Sequence, residues 1–455
     1  MDGSLAVRED TLTPTAALAG RLVAMRASPP SPEAATVAKQ CLLDWLGVSL
    51  AGRREPLVDI LTEELAPADD PGGCTLLGRG RRAPLTTAVL INGAMGHALD
   101  FDDVITAMGH PTAPVAPAVL GLAEALGVSG AKAVAAFIAG VEAECRVARL
   151  LGPSHYAKGW HGTATFGSFG AAAAAAHLLD LDEDRLLHAF GIAGTQAAGL
   201  KSVFGTMSKP LHAGKAAQNG VLAARLAARG FTSDTDILGS AQGFAATQST
   251  TVNPAAAFEA RPTPWVVDAL FKYHAACYLT HDTIEAANAL RLRTPFAARA
   301  VESVRVEVHA THMGVCNIQA PRTGLECKFS LRMTCAMALA GENTFDEALF
   351  TDATATREDL VALRDRITVT PTRSGAGSSV HVRLKDGREV SRTVDVAIPE
   401  RDLDAQQARL EAKFRHLTRD ALTAEAGDAV VGLCRRLDRE PDVGALLRAC
   451  AGRRP

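Results

Sequence analysis

From about Pro32 to Ala256, apolar residues recur at the three-to-four-residue spacing of amphipathic helices. Alanine, leucine and glycine dominate there and β-branched residues are thin. Segments such as PEAATVAKQCLLDWLGVSLAG, from Pro32, and LTTAVLINGAMGHALD, from Leu85, read as helices whose small side chains permit close packing. No fixed-period repeat accompanies the pattern, which argues against a solenoid.

After about Pro264 the period changes. VESVRVEVH, DRITVTPTR, SSVHVRLKDG and REVSRTVDVAI alternate apolar and polar residues with period two, and Asp386-Gly387 predicts a type I′ hairpin turn between the last two. Helical segments such as THDTIEAANALRLR and LECKFSLRMTCAMALAG interleave with these strands. From Asp402 onward the pattern returns to helix. The expectation is a mainly α protein: a large all-helical domain over 1–264 and 400–455, and a smaller α+β domain over 265–399.

Composition narrows the class. The 455 residues are 47% hydrophobic and 21% charged, enough apolar material for a large core, and the length allows two or three domains. A net charge of −3 gives no reason to expect nucleic acid or an anionic membrane as partner. The most apolar stretches, such as AVAAFIAGVEA, are interrupted before spanning length, so no membrane insertion is expected. MDGSLAVREDTLTPT lacks a basic region followed by an apolar run, so no secretory signal is read. Nine cysteines lie scattered without C-x-x-C pairs and read as reduced and mostly buried, which suits a cytoplasmic enzyme. Phosphate-loop and dinucleotide patterns are absent: GRGRR from Gly78 lacks a third glycine, and HAGKAAQ from His212 lacks the upstream glycine of a P-loop. His309 and His312 sit in a strand-like context with no obvious carboxylate partner and read as structural.

The candidate chemistry concentrates in NGAMGHALDFDDVITAMGHPTAPVAP, Asn92 to Pro117. Asp100, Asp102 and Asp103 crowd together, with His97 one helical turn before Asp100 and His110 opening a proline-rich loop. Neighbouring carboxylates repel, so such a group needs cations, metal or strong donors beside it. In the plainest reading Asp102 and Asp103 cap a helix and His97 is a core histidine. A sharper alternative is a haloacid-dehalogenase-like phosphatase using Asp100 and Asp102, from the D-x-D-x-V spacing. That chemistry needs a buried strand before the first aspartate, and INGAMGHAL lacks β-branched content.

The same mixture of residue types recurs far along the chain, at Gly159-Trp160-His161-Gly162, at Lys209-Pro210-Leu211-His212, from Lys272 through Cys277 to His281, and at Leu325-Glu326-Cys327-Lys328-Phe329-Ser330. This set resembles the MmgE/PrpD family, which includes 2-methylcitrate dehydratase, cis-aconitate decarboxylase and an iminodisuccinate epimerase. The HALDFDD…GHP, GWH, KPLH…G and LECKFS elements keep the family's order over roughly Leu18 to Leu417.

The resemblance implies a helical domain with a smaller lid, a homodimer, and an enzyme that needs no cofactor or metal. Its substrate would be a small di- or tricarboxylic acid, with proton transfer alpha to a carboxylate. It implies catalytic roles for Asp100, His110, His161, Lys209 and His281. Lys272, Cys277, Arg322, Lys328 and Ser330 would bind substrate, and His97, Asp102, Asp103 and His212 would support them. Lys209 precedes Pro210, which predicts a loop at the lysine and suits a carboxylate clamp. Asp100 is expected to orient a histidine. Cys277 and Val104 depart from the cis-aconitate decarboxylases, which carry histidine and threonine there, and this argues against itaconate production. A lyase is the leading reading, dehydration ahead of decarboxylation. The alternatives are an epimerase of an amino-dicarboxylate such as iminodisuccinate, favoured by the VITAMGHP loop, and a catalytically dead binding protein, disfavoured by the joint presence of Asp100, His110, His161 and Lys209.

Overall fold

Small side chains in the first half of the chain let helices touch almost backbone to backbone. The computed structural model describes residues 12–373 and 375–452, so the stretch read for a secretory signal lies outside the described residues up to residue 11. Two compact units divide the chain, one running to Ala269 and resuming at Leu410, the other Leu270–Arg409.

In the first unit, α1 (Pro32–Gly52) begins where Ser31 accepts a hydrogen bond from the Ala34 amide and Pro32 occupies the first turn, where its missing N–H costs nothing. There follow α2 (Leu85–His97), α3 (Thr112–Leu126), α4 (Gly130–Leu151), α5 (Gly162–Leu178), α6 (Glu183–Gln196) and α7 (Ser208–Ala228). Every residue of α5 is buried, as expected of a helix apolar all round, and α3, α4, α6 and α7 surround it. One such close approach is between α2 and α7. A Cβ on Gly93 would stand 2.8 Å from the Gly214 Cα, and one on Gly214 would stand 2.2 Å from the Leu90 carbonyl oxygen. That contact fixes the start of α7 relative to the end of α2. A small antiparallel ribbon, β1 (Cys74–Leu76) with β2 (Arg81–Ala83), precedes α2. Three-residue strands are too short to show a period, and the sequence reading missed them.

The second unit carries α8 (His281–Arg293), β3 (Val301–His309), α9 (Leu331–Ala340), β4 (Ile367–Thr372), β5 (Ser378–Leu384) and β6 (Glu389–Val394). The sheet order is β4-β3-β5-β6, with β3 and β4 parallel and the other pairs antiparallel. Val304, Val306, Val308, Val380, Val382 and Leu384 are buried, and α8 and α9 pack on the sheet. The expected type I′ turn is not formed. Gly387 alone has positive φ, at 85°, and Leu384 N–H bonds the Arg388 carbonyl at 2.9 Å, which makes a three-residue loop ending in a left-handed glycine. The Asp386 carboxylate selects this form by accepting from the Arg388 amide at 3.0 Å. The continuous helix expected over LECKFSLRMTCAMALAG is also broken, because Ser330 caps α9.

Leaving the second unit, the chain forms α10 (Leu403–Thr418), which crosses the border at Leu410, and then α11 (Ala424–Arg435) in the first unit. All nine cysteines are thiols and eight are buried. Among the described residues no helix is long and apolar enough to cross a membrane.

Candidate active site

The loop between α2 and α3 gathers the acidic cluster. His97 is the last residue of α2, and the chain then turns through Asp100, whose φ of 51° lies in the left-handed region that aspartate tolerates better than most residues. This conformation leaves the two aspartates flanking Phe101 in different surroundings. The Asp100 side chain is 44% exposed, whereas Asp102 is fully buried. Asp102, expected to play a supporting part, bridges both imidazoles of the loop: Oδ1 stands 2.9 Å from His97 Nδ1, and Oδ2 stands 3.1 Å from His110 Nδ1. Asp100 lies between Lys209 Nζ, at 3.0 Å, and His110 Nε2, at 3.3 Å. A lone turn, closed by the Ile105–Gly109 bridge, brings His110 back over the aspartates.

Electrostatics separates the three carboxylates. Burial raises the Asp102 pKa, but the His97 and His110 partners outweigh it and hold the group well below the ordinary carboxylate range. Asp103 goes the other way. Burial and the Asp102 and Asp44 carboxylates push it up to about 8, with the Thr112 hydroxyl (2.8 Å) and the Cys41 thiol bonding it. Asp103 is therefore a neutral acid at pH 7, and the cluster carries less charge than its three aspartates suggest. Burial also lowers the His97 pKa, and the buried His97 Nε2 has no hydrogen-bond partner among the described residues.

His161 sits immediately before α5, its amide bonded to the Gly199 carbonyl at 2.9 Å. Lys209 is not in a loop, contrary to the expectation. It lies in the first turn of α7, where Pro210 is accommodated because the first-turn amides have no carbonyl partner within the helix. Lys209 and His212 are three residues apart on that helix and so share a face. His212 Nδ1 is 3.0 Å from His161 Nδ1, and the two rings stand beside His97, whose centroid is 6.0 Å from that of His161. Burial, with the neighbouring His97, Lys209, His110 and His212, drives the His161 pKa far down, so its imidazole is neutral. Phe204, which no motif marked, presents its ring edge-on to His161 at 4.9 Å and lies 5.5 Å from Lys209 Nζ. It gives both groups a common apolar wall.

In the second unit, Lys272 and His281 are both 2% exposed. His281 opens α8; its Nε2 bonds the Ala276 carbonyl at 3.2 Å, and burial with the His274 and Lys272 charges lowers its pKa. His274, which lies between Lys272 and Cys277 and was not among the expected site residues, contacts the His281 ring, bonds Thr344 at 2.9 Å and has its Nε2 3.3 Å from Glu285 Oε1. Its place two residues after Lys272 was the available signal. The Cys277 amide bonds the Lys328 carbonyl at 3.0 Å, and its thiol contacts Cys316. Lys328 Nζ lies 5.5 Å from the Phe350 ring centre. Arg322 is exposed. Ser330, expected among the substrate-binding groups, is fully buried; its hydroxyl donates to the Ile318 carbonyl at 2.6 Å and accepts from the Met333 amide at 3.2 Å. The accepted bond caps α9, and the donated one ties that cap to Ile318.

Sequence spacing pointed to no metal, yet folding brings one ligand-type atom each from His97, Asp100, Asp102 and His110 within 4.8 Å of one another. Two imidazoles and two carboxylates form a set that divalent ions accept. The same atoms already have partners, however. Lys209 supplies a cation to Asp100, and imidazoles occupy both Asp102 oxygens.

Comparison with known proteins gives the chain's family. The MmgE/PrpD N-terminal domain matches residues 16–256 and the MmgE/PrpD C-terminal domain matches residues 274–437. A human protein named cis-aconitate decarboxylase is 27% identical over 437 residues, covering 92% of this chain and 90% of its own. One of the same name from Aspergillus terreus is 27% identical over 456 residues, covering 90% of each.

Proposed function

The chain belongs to the MmgE/PrpD family, and on that premise we propose that it is a lyase acting on a small di- or tricarboxylic acid of aconitate type. The observation that carries the reading is the meeting of an ammonium, Lys209, and a neutral imidazole, His161, on one apolar wall at Phe204, beside the Asp100–His110–Asp102–His97 chain.

Breaking a bond next to a carboxylate requires a cation to hold that carboxylate and a group that moves one proton. Lys209 is suited to the first task, because a substrate carboxylate can take the position beside its Nζ that Asp100 now shares. His161 is suited to the second, since a neutral imidazole accepts a proton that an imidazolium could not. In an elimination, His161 removes the alpha proton and the leaving hydroxide is protonated as it departs. In a decarboxylation, CO₂ departs, the electron pair spreads onto the remaining conjugated system, and a proton is returned to carbon. His110, with a carboxylate oxygen near each ring nitrogen, is the proposed second proton carrier, with Asp102 fixing its orientation.

Lys272, Cys277, His281, Lys328 and Arg322 remain proposed contributors on family resemblance. Ser330 is left to its helix cap. A homodimer is proposed on the same footing, and a cytoplasmic location on the scattered cysteines. The test is to assay the purified chain against cis-aconitate, citrate-like and 2-methylcitrate-like acids for CO₂ release and alkene formation. Either product supports the reading, and the absence of both with every acid overturns it.

A further inference from the structure

We propose that Lys413 and Asp44 form a buried clamp that holds the Asp100–Asp102 turn in its working geometry, making Lys413 a positioning residue for the site. The activity part of this proposal rests on the function proposed above. Its structural part does not.

Three distant parts of the chain meet here. Lys413, on α10, has its Nζ 2.6 Å from Asp44 Oδ1 on α1 and 2.8 Å from the carbonyl oxygen of Phe101. Both charged side chains are 1% exposed, and the ammonium also stands 4.1 Å from the centre of the Phe101 ring. Phe101 lies between Asp100 and Asp102, so its carbonyl belongs to the peptide that leads into Asp102. The residue before it holds a φ of 51°, a conformation that persists only where the surroundings fix it. Lys413 grips the turn at that point by carbonyl and by ring.

The approach of α10 to α1 is also built in. Gly47 lies three residues after Asp44, and a Cβ there would stand 3.1 Å from Phe414 Cδ2 and 3.4 Å from Phe414 Cα. The bare glycine admits the backbone of α10 and sets Lys413 beside Asp44. A buried ion pair contributes little to stability compared with apolar residues of the same size. What an apolar pair cannot supply is a donor to the Phe101 carbonyl. The clamp thus acts on the Asp102 carboxylate that bridges His97 and His110, without touching either imidazole.

The experiment compares the full-length wild type with Lys413→Met and with the charge-neutral double variant Asp44→Asn/Lys413→Met, which avoids stranding a buried carboxylate. Proton NMR of the downfield imidazole N–H resonances, which needs no substrate, reads the Asp102 bonds to His97 and His110. The proposal expects those resonances to shift or broaden in the folded double variant. It also expects kcat to fall by about tenfold or more while KM changes by less than about threefold, because the reacting groups are misplaced and not removed. A folded double variant with wild-type imidazole resonances and wild-type kcat overturns the clamp. Should neither variant fold, hydrogen exchange in the wild type decides. Slow exchange at the amides of Phe101 to Asp103, matching the interior of α1, supports the clamp, and exchange as fast as in an exposed loop overturns it. If no acid is turned over by the wild type, the functional reading fails while the imidazole resonances still judge the clamp.

Discussion

The Nδ1 atoms of His161 and His212 lie 3.0 Å apart, and burial lowers the pKa of both imidazoles. Two neutral rings can share such a contact only if one nitrogen carries the proton and the other does not, so the two rings must hold opposite tautomers. When His212 donates, His161 presents Nε2–H and is an acid; when His161 donates, its Nε2 is bare and is a base. His212→Ala, which removes this control, is expected to lower kcat by about tenfold, and His212→Gln, which can still donate or accept, to restore part of the loss. Steady-state kinetics of both variants checks this, and wild-type kcat in His212→Ala would contradict it.

Lys209 is the proposed carboxylate clamp. Lys209→Ala should reduce kcat/KM by about 10²-fold or more, since removing one partner of a desolvated charge pair costs several kcal/mol. Asp100 would also lose its cation, so thermal stability should fall modestly. Near-wild-type kcat/KM would remove Lys209 from the site.

Asp103 makes a signed prediction about pH. Its folded pKa of about 8 is raised above the 3.8 of an ordinary aspartate, so between those values the folded protein holds a proton that the unfolded chain has released. Stability from this group therefore falls as pH rises from about 4 to about 8, and is level beyond. Asp103→Asn cannot titrate. The difference in unfolding free energy between variant and wild type should move in the variant's favour by an amount on the order of a few kcal/mol across that window. Calorimetry at several pH values measures it, and a difference independent of pH would contradict the protonated state.

Much of this architecture can be read from pattern. Ser31-Pro32 and the apolar period give the start of α1, and alternation from Val304 to His309 gives most of β3, the period breaking at the register shift between Val301 and Ser303. The site's composition was legible too, because Asp100, His110, His161 and Lys209 sit in family motifs. Its wiring was not. Which aspartate bridges the histidines depends on a left-handed φ at Asp100, a backbone state that the DFDD motif does not encode. The loop expected at Lys209 rests on the bias of a residue before proline against helix, a bias the first turn of α7 overrides. Lys413 escaped notice because a lysine within ARLEAKFRHL looks like part of a solvated face, and its partner Asp44 lies 369 positions away in an apolar run.

Chelation addresses the His97, Asp100, Asp102 and His110 group. Because Lys209 and the imidazoles already compensate the carboxylates, activity should survive exhaustive EDTA treatment. Loss of activity with recovery on adding Zn²⁺ or Mn²⁺ would instead make these four residues metal ligands.

The central claim, a lyase and not an epimerase, is tested most directly by following substrate in D₂O by NMR. Both reactions begin alpha to a carboxylate, but only a lyase expels a group. With an aconitate-like or citrate-like acid, the account predicts new alkene signals, or CO₂ release with one deuterium placed on the product carbon. Exchange at the alpha carbon of an amino-dicarboxylate with inversion, and with no alkene and no CO₂ from any acid, would contradict it.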